Sequence, residues 1–227
     1  MFDAKYYFDF QYCPFPRIFD GLQYVWQAIP KIKDVLSANL KPGIHPSAKI
    51  SQHTFIGEQV QIGPDTVIQH GAVIMGPAII GAGVEIRSSA FLRPDVIVGD
   101  KAVLGNSCEF KNCLLHREAN VPHFAYVGDS ILGYRAHLGA GVKISNVKLT
   151  METVLVKGEK GVIDTGLIKF GAILGDVTDI GCNSVLNPGT LVGPHSIVYP
   201  NSSWRGVLPA SHIAKLRQSF EVVQRKE

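Results

Sequence analysis

From Ile44 onward the chain keeps a six-residue beat: Ile44, Ile50, Ile56, Ile62, Ile68, Ile74, Ile80, Ile86, Leu92, Val98, Leu104 and Phe110 are all apolar. The fourth place after each is small or branched, as in Ala72, Val84, Ala90 and Ala102, and the place directly after is often glycine, as in Gly57, Gly63, Gly81, Gly99 and Gly105. Neither an α-helix nor a flat sheet has this period. It predicts a parallel β-helix of hexapeptide repeats, with the large residue inside a narrow prism, the small one near a corner and glycine in the turns. Three hexads make a coil of about 18 residues, so residues 18 apart stack at about 4.8 Å.

Residues 1–43 do not keep the beat. Phe19, Leu22, Trp26, Ile29, Ile32, Val35 and Leu36 recur at helical spacing, with Pro30 dividing two short helices. A solenoid end exposes apolar interior and strand edges, so this segment is predicted to be a helical N-terminal cap over the first coil. The β-helix proper is expected over 44–210. After Phe110 the beat slips, returns at Tyr126, Leu132, Leu138 and Ile144, and stops again. A turn-rich insertion, 148–167, is expected as a loop near whatever site the slip builds, placed to act as a lid. The beat resumes at Ile168, Leu174, Ile180, Leu186, Val192, Val198 and Trp204. Over 211–227, Ser211 as N-cap followed by Ile213, Leu216, Phe220 and Val223 predicts a short C-terminal helix. The fold class is all-β.

Composition narrows the function. A net charge of +3 with scattered basic residues leaves no nucleic-acid footprint. Cys13, Cys108, Cys113 and Cys182 form neither a CxxC pair nor a disulfide-dense pattern and read as reduced thiols. No h-region and no long apolar run is present, so a cytoplasmic protein away from membranes is expected.

Arg93 and Lys111 are 18 apart, each directly after a beat residue, and so predicted to stack on the outside of adjacent coils. Two solvated surface charges fit that spacing, and so do two cations facing one phosphate. His123 follows Pro122 in the slipped segment, with Tyr126 three residues on; it is either a surface residue or, beside the cationic corner, a proton-transfer group. Asn146 is expected one coil beyond Tyr126, where by itself it reads as a turn residue. A zinc site is not expected, because neither His53 with His70 nor His116 with His123 has a third histidine one coil away. No P-loop, G-x-G-x-x-G or G-x-S-x-G is present.

Arg93-Pro94, Gly105-Asn106, Glu109, Lys111, His123, Tyr126, Gly128-Asp129, Gly139-Ala140-Gly141 and Asn146 resemble the C-terminal acetyltransferase domain of the bifunctional N-acetylglucosamine-1-phosphate uridyltransferase/glucosamine-1-phosphate acetyltransferase, over roughly residues 80 to 200. The whole chain also resembles short stand-alone relatives labelled UDP-N-acetylglucosamine pyrophosphorylase-related. The resemblance implies a left-handed β-helix, a homotrimer, and acetyl-CoA held between neighbouring prisms as a substrate, with no metal. It implies that Arg93, Lys111 and Lys169 grip a sugar phosphate, that His123 is the general base, that Tyr126 and Asn146 position the amino sugar near His137, and that Cys182 and Pro200 lie along the coenzyme.

The departures are His137 for the family's asparagine, Cys182 for its serine, Val147 for the tyrosine after Asn146, and a longer link to Lys169. The N-terminal uridyltransferase domain has no counterpart. The expected function is acetyl-CoA-dependent N-acetylation of an amino-sugar phosphate, glucosamine 1-phosphate above others, in UDP-N-acetylglucosamine and cell-envelope biosynthesis. The rival, of another class, is a non-catalytic ligand-binding or assembly module that partners a separate sugar-1-phosphate nucleotidyltransferase.

Overall fold

A computed structural model of the chain describes residues 2–158, 161–217 and 219–225. The hexads wind into a parallel β-helix with three faces. The first face runs from Gly43–Ile44 through Ala78–Ile80 and Val96–Val98 to Val207–Leu208, the second from Lys49–Ile50 to Ile213–Ala214, and the third from Phe55–Ile56 to Ser203–Trp204. The second face has nine strands, so the prism has nine coils. The beat residues Ile62, Ile74, Leu92, Leu104 and Phe110 fill its interior, with Ala72, Ala90, Ala102 and Cys108 buried at the corners.

The glycines after the beat residues serve close approach rather than turning. A Cβ on Gly63 would sit 2.5 Å from the Gly81 carbonyl oxygen, and one on Gly99 2.6 Å from the Arg117 nitrogen. The left-handed turn positions fall two residues later, on Asp65, Ser89 and Lys101, among others.

The slip after Phe110 has a simple cause. In two successive coils the third and first faces are joined by one continuous strand, Glu109–Leu115 and then Tyr126–Leu132, each rounding the corner at one left-handed residue, Asn112 and Asp129, and each such coil is one residue short. The interior positions are therefore Leu115, Val121 and Val127. Tyr126 is not on the beat; it points outward beside buried Val127.

The N-terminal segment is not an end cap. Its short helical turns and the helix Ile32–Asn39 lie along the first face, where Tyr7, Phe8, Trp26, Ile29 and Leu36 pack on the outward residues Ile79, Ile97, Leu114, Ile131, Ile173 and Leu191. The physical reason is that these outward positions are themselves apolar, a stripe needing cover along the prism. The first coil stays open, with Ile44 48% exposed. Polar contacts pin the plate: the buried Asp176 carboxylate accepts the Asp9 and Tyr134 backbone N–H groups, both at 2.7 Å, and Ala210 N donates to the Tyr6 hydroxyl at 2.9 Å.

The C-terminal helix is also corrected. Ile213–Ala214 continues the second face, paired with Ile197 and Val198, and no helix follows among the described residues to 225. Ile213 is the next solenoid rung, and Phe220 and Val223 are exposed with no surface to pack on, which leaves so short a segment without the tertiary support a helix needs. The insertion after Asn146 is a β-hairpin, Leu155–Gly158 with Gly161–Asp164, its tip residues 159 and 160 lying outside the described set. Val154 and Val156 bury it in the cluster formed by the N-terminal plate, so it is a docked element rather than a free lid.

Under the plate lies His116, fully buried in the row that Gly63, Gly81 and Gly99 occupy in earlier coils. Its ring is 4.6 Å from that of Phe8, and neither ring nitrogen has a partner. Burial pulls its pKa from 6.5 down to about 3. The unfolded chain therefore binds a proton that the folded chain refuses, so this group leaves stability independent of pH above about 6.5 and lowers it progressively as pH falls toward 3, by about 1.4 kcal/mol per pH unit. Denaturant titrations between pH 4 and 6.5 should show His116→Phe with a shallower loss of stability than the wild type. Parallel slopes would mean that the ring finds solvent on protonation.

Candidate active site

The site is built on the third face in coils three to six. Phe110 pairs with Leu92 and Lys111 with Gly128, so Arg93, Lys111 and Gly128 form one outward row, as the 18-residue spacing predicts for its first two members. The cations do not stand alone. Arg93 Nη1 is 2.9 Å from Glu109 Oε1, and Lys111 Nζ is 3.5 Å from Asp129 Oδ2. The Arg93–Glu109 pair is more than a third exposed on both sides, worth at most about 1 kcal/mol, and yields readily to a stronger anion.

Asp129 organises the rest. It is buried at the corner with a left-handed backbone (φ +48°), accepts from Asn112 Nδ2 at 2.7 Å, and is bonded by Asn146 Nδ2. Its lone pairs are thus shared among three donors, which leaves Lys111 only a long contact and a charge free to meet a ligand. Burial, with Asp129 and Glu109 nearby, raises the Tyr126 phenol pKa, while Asn146 hydrogen-bonds its oxygen and opposes that rise. Gly128 keeps the space between them open, since a Cβ there would lie 2.6 Å from Tyr126 Oη and 2.9 Å from Asn146 Nδ2. Asn146 therefore lies one coil beyond Asp129 rather than beyond Tyr126, whose own partner is Lys143.

The hairpin returns to this corner. Lys169 bridges Val147, Phe170 N donates to the Asn146 carbonyl at 2.9 Å, and Gly171 N to the Asp129 carbonyl at 2.9 Å. The longer link thus brings Lys169, exposed, beside Asn146.

His123 ends the strand Asn120–His123 next to Asn106, exposed on the opposite edge of the third face. Phe124, with φ +50°, turns the chain from there onto Tyr126. Six residues cross from His123 to Asp129, which bounds the separation of the two edges at about 20 Å. Register puts Cys182 and Pro200 on the same edge: His137 pairs with Asn120 and Asp179, and Asp179 with Ile197, so His123, Ala140, Cys182 and Pro200 stack in successive coils. Cys182 is an exposed free thiol. His137 stands apart, on the second face three residues before that edge, its Nδ1 3.2 Å from Asp179 Oδ1.

The structure thus gathers Arg93, Lys111, Tyr126, Asn146 and Lys169 toward one edge and His123, Cys182 and Pro200 along the other. Three residues of the arrangement escaped the spacing argument, Glu109, Gly128 and Asp129, although they stand within the motif segments themselves. No group of three or more His, Cys, Asp or Glu able to hold a metal occurs among the described residues, and no helix there is long and apolar enough to cross a membrane.

A family model described as GMPPB C-terminal domain matches residues 74–168. Uncharacterized acetyltransferase YaiX of Escherichia coli O6:K15:H31 is 34% identical over 203 residues, 86% of this chain and 88% of that one. Bifunctional protein GlmU of Methanococcus vannielii is 34% identical over 78% of this chain and 43% of its own length. A bifunctional sugar-1-phosphate nucleotidylyltransferase/acetyltransferase of Sulfurisphaera tokodaii is 33% identical over 67% and 38%. This chain spans less than half of those bifunctional proteins. With 88% of YaiX matched at 34% identity and a hexapeptide solenoid of nine coils, the chain belongs to the hexapeptide-repeat acetyltransferases of the GlmU C-terminal type.

Proposed function

We propose that the chain is an acetyl-CoA-dependent N-acetyltransferase of amino-sugar phosphates, with glucosamine 1-phosphate as its substrate. The observation that carries this reading is the third face itself, with a row of cationic side chains on one edge and an exposed histidine on the other. Arg93 and Lys111, helped by Lys169, take the phosphate as Glu109 lets go of Arg93. Tyr126 and Asn146 hold the sugar. His123 removes a proton from the 2-ammonium group, the free amine attacks the thioester carbonyl, and the C–S bond breaks as the new C–N bond forms. The proton held by His123 passes to the coenzyme's thiolate, and the second proton, made acidic on the nitrogen by C–N bond formation, leaves through the freed His123 to water, so that one proton is released per turnover. Cys182 and Pro200 line the donor's path.

A homotrimer is part of the proposal. The chain's own plate occupies the first face, which leaves the second and third faces for neighbours. A donor resting on one open face would be largely in water, whereas two apposed prisms enclose it.

The second reading, a module that serves a separate nucleotidyltransferase, is favoured by the match to a domain named for its place in a larger protein. Thiol release from acetyl-CoA across a panel of amino-sugar phosphates separates the two. Arg93→Ala and Lys111→Ala should each raise the KM for the sugar phosphate by about 10-fold or more, the loss of a charge-assisted hydrogen bond of about 1.5–3 kcal/mol, and leave the KM for acetyl-CoA in place. Binding of sugar phosphate or CoA without thiol release from any amino sugar would favour the module.

A further inference from the structure

The third-face row does not stop at the site. Tyr126 pairs with Lys143, Lys143 with Val185 and Val185 with Ser203, so the row of Arg93, Lys111 and Gly128 continues through Ser145 and Asn187 to Arg205. Lys111 and Arg205 are four coil steps apart, about 19 Å. Between these cations stand only glycine, a hydroxyl and an amide.

Arg205 opens into a cleft of about 290 Å³ between the prism and the hairpin, at the small end of ligand-pocket sizes. Lys148 and Lys157 line it with Val162, Pro188 and Gly189, and no carboxylate does among the described residues. Lys148 is partly engaged, 3.1 Å from exposed Glu152 and 3.0 Å from the Thr153 carbonyl oxygen. Lys157 and Arg205 have no ion-pair partner among the described residues. The cleft is built in advance, because Val154 and Val156 anchor the hairpin and Gly189, at φ +79°, would meet Val154 Cγ1 at 2.6 Å with a Cβ. Like charges converging on an apolar floor call for a polyanion with an apolar part.

We propose that this cleft binds the phosphorylated nucleotide end of the acyl-CoA donor, a role that rests on the acetyltransferase reading above and gives the hairpin its purpose. The distances agree. The arm between thioester sulfur and diphosphate has about 13 bonds, the reach of four to five extended residues, about 15 Å. The amine of a 2-amino sugar lies about 5 Å from its anomeric phosphate, by the same bond lengths. A donor reacting at an amine whose phosphate sits on Lys111 therefore carries its own phosphates to Arg205. Its arm then lies over the third face, with Cys182 and Pro200 on the far edge.

The test uses adenosine 3′,5′-bisphosphate and UDP as probes in calorimetry with the full chain, beside initial rates with acetyl-CoA, 3′-dephospho-acetyl-CoA and acetyl-pantetheine. Arg205→Ala and Lys157→Ala should weaken the bisphosphate and raise the KM for acetyl-CoA by about 10-fold each, with Arg205→Lys closer to wild type. The KM values for sugar phosphate and acetyl-pantetheine should not move. Unchanged bisphosphate affinity in Arg205→Ala, or an Arg205-dependent preference for UDP, would overturn the assignment even if acetyl transfer is observed. Arg205-dependent bisphosphate binding without thiol release from any amino sugar would instead support the cleft and overturn the reaction.

Discussion

Replacing His123 by alanine should lower kcat by about 10²–10⁴-fold, the usual contribution of a general base, with little change in the KM of either substrate. The ring stands exposed at a strand end, beyond the Lys111 and Asp129 network, so its loss should leave the edge of Arg93 and Lys111 undisturbed. The amine of the proposed substrate is an ammonium ion at neutral pH, so if His123 is the base the defect should shrink as pH rises and more free amine forms in solution. His137→Ala supplies the contrast. That ring is tied to Asp179 on the second face, and its removal should cost far less in kcat. A His123→Ala enzyme with near wild-type kcat, or a His137→Ala enzyme with the larger defect, would move the base elsewhere.

The parts of this design that were legible in the sequence are those that obey the repeat. A period of six with large residues inside fixes which side chains face in, and the 18-residue spacing of Arg93 and Lys111 then places both on one row. The slip was visible, but its meaning was not. Counted on in sixes from Phe110 the beat lands on Gly128 and counted back from Ile144 it lands on Tyr126, and only the continuous corner strands Glu109–Leu115 and Tyr126–Leu132 decide for Val127. The partners of the cations were hidden for a related reason. Glu109 lies 16 residues from Arg93, two out of row, and Asp129, although 18 residues from Lys111, sits one past Lys111's row partner Gly128 because that coil is one residue short, so counting in eighteens misses the first and misplaces the second.

The N-terminal plate left a signal that counting interior positions passes over. Ile79-Ile80, Ile97-Val98, Leu114-Leu115, Ile131-Leu132, Ile173-Leu174 and Leu191-Val192 are apolar pairs, one per coil, in which the second residue faces in and the first faces out. A strand that is apolar on both sides is buried on both sides. Such pairs on one face out of three announce a cover, while the polar or mixed outward residues of the other faces leave those open. At the other end, Ile213 reads equally as the start of an amphipathic helix and as one more rung. Pairing with Ile197 decided it, because a rung completes backbone bonds along an existing sheet edge, whereas an isolated helix must first form its costly nucleus.

Trp26→Ala tests the plate directly. Trp26 is 1% exposed, its ring stacks on Tyr24 at 4.7 Å, and it packs near Phe2 and Phe170, joining the N-terminal segment to the residue that returns the hairpin to Asn146. Truncating a buried tryptophan costs about 3–5 kcal/mol, a large share of the stability of a single domain. The expected result is a marked fall in the thermal midpoint, exposure of the first-face stripe to a hydrophobic dye, and weaker sugar-phosphate binding, since Phe170 carries the hydrogen bond to the Asn146 carbonyl. Ile44→Ala at the open first coil is the control, expected to cost little because that side chain is about half in water already. If instead the segment covers the end of the prism in solution, the two effects should converge, with Ile44→Ala becoming costly and dye binding in Trp26→Ala no longer tracking the first face. Equal losses in both variants would return the segment to the role of an end cap.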